Sequence, residues 1–231
     1  MAFVQRNLSF ASSSLDATVI DGPTEYQLTD ASIVVNLSPS PLAVQGDAAG
    51  VIAPWNSTIL RNATVEVRDR IAVLKIRKPN EIAGECLSSW KKLGDVIENY
   101  PKTTPLYISS QDTVGETAFD PALYAQKQFE GPNSRRFEIR LNLWWCAAKT
   151  NCGIHRVHGF LEFHTQVSGK GRMQKFRNEH EDSLYEDVGL LPGASHGPFF
   201  TVNGREWTYP WHRYFGDSEC IWMAIEFHPL D

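Results

Sequence analysis

From Arg136 onward the chain alternates. Phe137, Ile139, Leu141 and Leu143 fall between Glu138, Arg140, Asn142 and Trp144, so the apolar side chains share one face of a strand. Residues 157–168, 172–176, 184–191, 207–213 and 220–228 read as further strands, several of them separated by Gly-containing turns. Short strands at this spacing predict an all-β fold, a closed antiparallel barrel or jelly roll over residues 137–228. Upstream, the β-branched run VEVRDRIAVLKIR (65–77) predicts one or two strands, and 31–37 a short one. Cys86, Leu87, Trp90, Leu93 and Ile97 recur at helical spacing between residues 80 and 100, and Pro101 ends the run. This predicts one helix outside the barrel, with a short helical turn around 121–128. Residues 1–50, rich in Ser, Ala, Pro and Asp, read as an arm or extra strands. The expected organisation is therefore an N-terminal arm, extra strands and a peripheral helix (1–135), packed on a barrel core (136–231) as one structural domain.

Composition narrows the class of partner. Hydrophobic residues make up 42% of the 231 and charged residues 21%, enough apolar material for a sizeable core. The net charge is −5 and no Lys/Arg-rich run occurs, which argues against nucleic acid, because phosphate binding needs clustered cations. The seven Trp and twelve Phe read first as barrel filling and only second as a stacking platform. The N-terminus lacks a charged segment followed by an apolar one, and no run approaches the roughly 18 apolar residues of a membrane span. Cys86, Cys146, Cys152 and Cys220 form no CxxC pair and read as free thiols, so the expected location is cytoplasmic. The triplets beginning at Asn7, Asn36, Asn56 and Asn62 match a glycosylation pattern, and without a secretion signal they read as chance. Glycine-rich dinucleotide loops and P-loops are absent.

The chemistry concentrates in residues 152–176, CGIHRVHGFLEFHTQVSGKGRMQKF. His158, Glu162, His164 and Gln166 differ by even numbers, so on a strand they share a face. Two imidazoles and a carboxylate turned into a barrel would each cost several kcal/mol if unpaired. A divalent transition ion removes that cost, because imidazole and carboxylate are good ligands for it. The alternative reading is a set of barrel histidines bonded to carbonyls.

This segment resembles the cupin superfamily. Its first motif is H-x-H, three or four residues, E, six residues, G. Here His158, Glu162 and Gly169 fit from the second His on, while Arg156 stands where the first would fall. The second motif ends P-x-G-x-x-H, and Pro192, Gly193 and His196 match with Pro displaced by one. The resemblance covers roughly 137–228 and implies a metal held by His158, Glu162 and His196, a facial set similar to that of hydroxypropylphosphonate epoxidase. It implies Fe(II) first, with Zn, Mn or Ni as alternatives. His164 is the candidate catalytic acid/base, and Arg140, Arg156, Trp144 and His212 are candidate substrate contacts. His155, of opposite parity, is a substitute ligand only if the backbone there is irregular. His228 and Arg172 are further cavity candidates.

The expectation is a non-haem iron oxygenase or oxidase acting on a small polar metabolite. The alternatives are a Zn, Mn or Ni isomerase, lyase or decarboxylase, and a non-catalytic metabolite-binding cupin. The resemblance also implies a homodimer through N-terminal strands, with no membrane partner.

Overall fold

The computed structural model describes residues 3–46, 49–125, 134–203 and 206–230. Every strand pair in it is antiparallel. Arg135–Cys146 is flanked by Cys220–Pro229 on one side and by Leu106–Ile108 and Asp112–Phe119 on the other, and Leu161–Ser168 pairs outside Cys220–Pro229. A second sheet orders Leu184–Leu190, Gly171–Phe176 and Trp211–Gly216. These two sheets face each other: the Tyr214 ring stacks on Trp222 at 3.7 Å, and the Tyr214 hydroxyl donates to Gln166 Oε1. The result is a jelly-roll-like arrangement of facing sheets that remain separate, rather than one continuous closed barrel.

The alternation seen in the sequence sets which side faces inward. Phe137, Ile139, Leu141 and Leu143 are all fully buried, as are Ile221, Met223, Ile225 and Phe227 on the partner strand. The N-terminal part is more than an arm. A five-stranded sheet contains Leu15–Asp21, Ser32–Asn36 and Arg70–Ile76, and a four-stranded sheet centres on Ala63–Val67. Ile20, Val34, Ile71 and Val73 pack in a core with Leu28, Leu42, Val65 and Val67. From the opposite face of the same strands, Val19, Val35, Ala72 and Leu74 join the main core. The five-stranded sheet is thus apolar on both sides.

Three expected elements take a different form. The stretch 80–100 is not one helix: Ile82–Ser89 is helical, Lys91–Lys92 is extended and pairs with Tyr107 and Ile108, and Leu93–Val96 makes a single turn. Trp90 turns extended (φ −92°, ψ 158°), and Gly94 lies so close to Lys102 that an added Cβ would stand 2.7 Å from its Cα. Sheet pairing and packing override the periodicity there. The stretch 207–213 is split by Pro210, which has no N–H for a ladder: Glu206–Thr208 pairs with Thr201–Asn203, and Trp211–Gly216 with Gly171–Phe176. The strand expected over 157–168 begins only at Leu161, leaving 152–160 irregular. The helical turn covers Pro121–Leu123, and 126–133 lie outside the described residues.

Candidate metal centre

The irregular segment before Leu161 brings three imidazoles together. The His155 and His212 backbones bond to each other in both directions, at 2.9 and 2.8 Å, which clips the segment onto Trp211–Gly216. One ring nitrogen each of His155, His158 and His212 then lies within 4.8 Å of the others. The Nε2 atoms of His158 and His212 are 3.0 Å apart.

The far nitrogen of each ring already has a partner. Nδ1 of His155 faces the Gly153 carbonyl at 3.1 Å, and Nδ1 of His212 faces the Pro210 carbonyl at 2.9 Å. Nδ1 of His158 lies 3.1 Å from Glu162 Oε2. All three acceptors are oxygens, so each Nδ1 carries the proton and donates. The Nε2 lone pairs of His158 and His212 therefore point at each other. Reversing either tautomer would set a lone pair against an oxygen instead. Protonating His212 at both nitrogens is opposed by burial, by His155 and by His158, which lower it to about 3. Burial also lowers His158. A cation between the lone pairs resolves this conflict. Metal–nitrogen bonds of about 2.1 Å at right angles put two nitrogens about 3 Å apart. The donor set fits a divalent transition ion.

Glu162 leads from this trio into a second chain of contacts. Its Oε1 accepts from His164 Nε2, and its backbone N–H donates to the Tyr209 hydroxyl oxygen at 2.8 Å. His196 Nδ1 donates to the Gly197 carbonyl at 2.8 Å, so its Nε2 accepts from His164 Nδ1 at 2.9 Å. His164 thus links Glu162 to His196. Burial alone would raise Glu162, but His164, His158 and His212 together hold the carboxyl well below its usual range. Burial lowers His196 to about 3 and pushes Tyr209 up. Glu226 lies opposite Glu162 in register, accepting from Asn142 at 2.6 Å, Gln111 at 2.9 Å and His228 Nε2 at 2.8 Å.

Of the ligands expected from sequence, His158 is in the imidazole trio, Glu162 touches it through His158 Nδ1, and His196 lies beyond His164. His212 and Trp144 line the cavity of about 590 Å³ that opens onto the trio. Arg140 and Arg156 do not: Arg140 pairs with Glu138 at 2.5 Å, and Arg156 lies over the Trp211 ring at 5.4 Å. Arg172 is held by Asp187 and Asp217. Parity set His155 aside in the sequence, but parity holds only within a strand and 152–160 is not one. Glu226 was missed, although a lone carboxylate in the apolar run CIWMAIEF signals it.

Facing antiparallel sheets with histidines gathered between them make an all-β, jelly-roll-like fold. No family model matches the chain, and no curated protein does. Among solved structures, oxalate decarboxylase of Bacillus subtilis, described with Mn(II) centres, is 11% identical at a TM-score of 0.30, covering 94% of this chain and 70% of that one. A tryptophan-to-phenylalanine variant of the same enzyme gives 10% and 0.31 over 94% and 70%. A cupin 2 conserved barrel domain protein from Leptotrichia buccalis gives 11% and 0.28, over 98% and 89%. Overlays this loose carry no argument about chemistry, which rests on the residues themselves.

Proposed function

We propose that this cupin-like protein is a metal-dependent enzyme whose ion is held by His155, His158 and His212. The observation that supports the reading is the pair of Nε2 lone pairs of His158 and His212 facing each other at 3.0 Å, each fixed by a proton on the far nitrogen. Hydrogen bonds that fix tautomer and ring orientation are what metal-binding histidines need. Three neutral imidazoles leave an iron(II) ion its full charge and open positions, so when bound it would supply oxygen-dependent redox chemistry to a small molecule in the cavity. Glu162 orients His158, and His164 keeps Glu162 in place while standing in the cavity wall. The second reading, a Zn, Mn or Ni lyase, isomerase or decarboxylase, uses the same residues with the ion as Lewis acid.

Metal analysis of protein purified without chelator tests the assignment. About one equivalent of a divalent transition ion is expected in the wild type and in His180→Ala, whose histidine is exposed in a polar turn. His155→Ala, His158→Ala and His212→Ala should lose it. If His196→Ala is metal-free while His155→Ala retains the ion, the ligand set is His158, Glu162 and His196 instead. Oxygen uptake by iron-loaded protein separates the redox reading from the Lewis-acid one.

A further inference from the structure

The cavity beside the three imidazoles has a chemical character that the ligand set does not dictate. Trp222 is the middle of an aromatic stack: its ring lies parallel to Trp144 at 6.1 Å (9° between planes) and to Tyr214 at 3.7 Å (15°). All three rings line the cavity. Leu93, Val96, Ile97, Pro101 and Ile108 add an aliphatic wall from the broken helical stretch and the strand after it. The polar lining is the histidine group with Glu162 and Glu226, and among the described residues no Arg or Lys contributes to it. The arginines that sequence placed near a substrate acid are occupied elsewhere.

Two of the lining residues are exposed against expectation. Val96 and Ile97 are 53% and 48% exposed, yet both border the cavity. Apolar side chains half in water at the rim of an apolar chamber gain burial when an apolar body enters. An acid entering the chamber would meet the reverse situation. In the metal-free protein it would be buried beside two carboxylates with no Arg or Lys in the wall to offset them, and like charges set together in a binding site cost several kcal/mol.

We propose that the molecule bound in this cavity is uncharged and largely apolar, with an aromatic-sized body that lies against this aromatic stack under the Val96–Ile97 rim. This rests on the proposed function only for the end of the molecule that faces the imidazoles. It replaces the small polar metabolite suggested by sequence with a neutral, ring-bearing one. Its polar group is one oxygen or nitrogen directed at the histidines, and the rest of its surface is covered by the rings and aliphatic side chains.

Quenching of tryptophan fluorescence by 2-naphthol, and by 2-naphthoate as its anionic counterpart of similar shape, tests this at pH 7, in protein as purified and after chelator treatment. In the chelator-treated protein, 2-naphthol should bind saturably and at least about ten-fold more tightly than 2-naphthoate, since ten-fold corresponds to only about 1.4 kcal/mol. Ile97→Asp, at a half-exposed position, should weaken 2-naphthol by a similar factor while keeping the far-ultraviolet circular dichroism of the wild type. Equal or tighter binding of 2-naphthoate to chelator-treated protein overturns the proposal, and so does an Ile97→Asp variant with unchanged 2-naphthol affinity. The two readings fail separately. Metal-free protein that still prefers 2-naphthol loses the ion and keeps the apolar chamber. Protein that holds metal on the three histidines but prefers 2-naphthoate keeps the ion and loses this substrate class.

Discussion

At His158 two demands meet, one from each ring nitrogen: Nδ1 is committed to Glu162, and Nε2 faces another lone pair. Neutralising the carboxylate should weaken the first without removing a ligand. Glu162→Gln is therefore expected to lower metal affinity by about 10- to 100-fold, the range for partners of ligating histidines, as read by competition with a chelating dye. His196 offers a cleaner pH test, since it stands outside the trio. Its folded-state value is depressed from 6.5 to about 3 by burial. Between those pH values the unfolded chain binds a proton that the folded chain does not, so stability present above about pH 6.5 is lost as the pH falls toward 3. Urea midpoints measured from pH 7 to pH 4 should fall less steeply in His196→Gln than in the wild type. Parallel slopes would mean that His196 titrates normally.

The element that matters most is the tight connection from Leu161–Ser168 in one sheet to Gly171–Phe176 in the other, because it carries Glu162 and His164 on the first strand and pairs the second with Trp211–Gly216. Gly169 makes its turn. The residue has φ +68°, and an added Cβ would fall 2.0 Å from the Glu219 carbonyl oxygen, which is backbone and cannot swing away. Gly169→Ala should destabilise by about 1–3 kcal/mol, the range for overpacking, and should loosen the metal site with it. Denaturant unfolding and metal content of the same preparation check both. The turn glycine was legible in the sequence as the end of the first motif. The contact that makes it necessary was not, since Glu219 lies fifty residues further along the chain.

Across the whole molecule, Trp55 is among the residues that tie the N-terminal sheets to the site-bearing half. Trp55, fully buried, leaves the segment between Gly50–Ile52 and Ser57–Leu60 to pack on Phe119, Phe163 and Phe227, with ring centroids at 5.2, 6.5 and 4.6 Å. Phe163 sits between Glu162 and His164, so this packing fixes the strand that presents them. Trp55→Ala should cost about 3–5 kcal/mol and lower the temperatures at which secondary structure and bound metal are lost together. Calorimetry of the metal-loaded protein alongside far-ultraviolet circular dichroism reads this. Two separated transitions would show that the halves fold independently.

The sequence by itself determined the strands whose alternation extends over several residues, the all-β class, the turn at Gly169 and the placement of Glu162 and His164 on one face. These follow from the period-two geometry of a strand, which is local. Tertiary structure decided which imidazoles converge. His155 and His212 are brought together by a backbone bridge between an irregular segment and a strand more than fifty residues away, and side-chain parity has no meaning across such a join. It also decided the character of the cavity, because Trp144, Trp222 and Ile97 reach it from separate elements, and only their packing sets an aromatic stack beside an aliphatic rim.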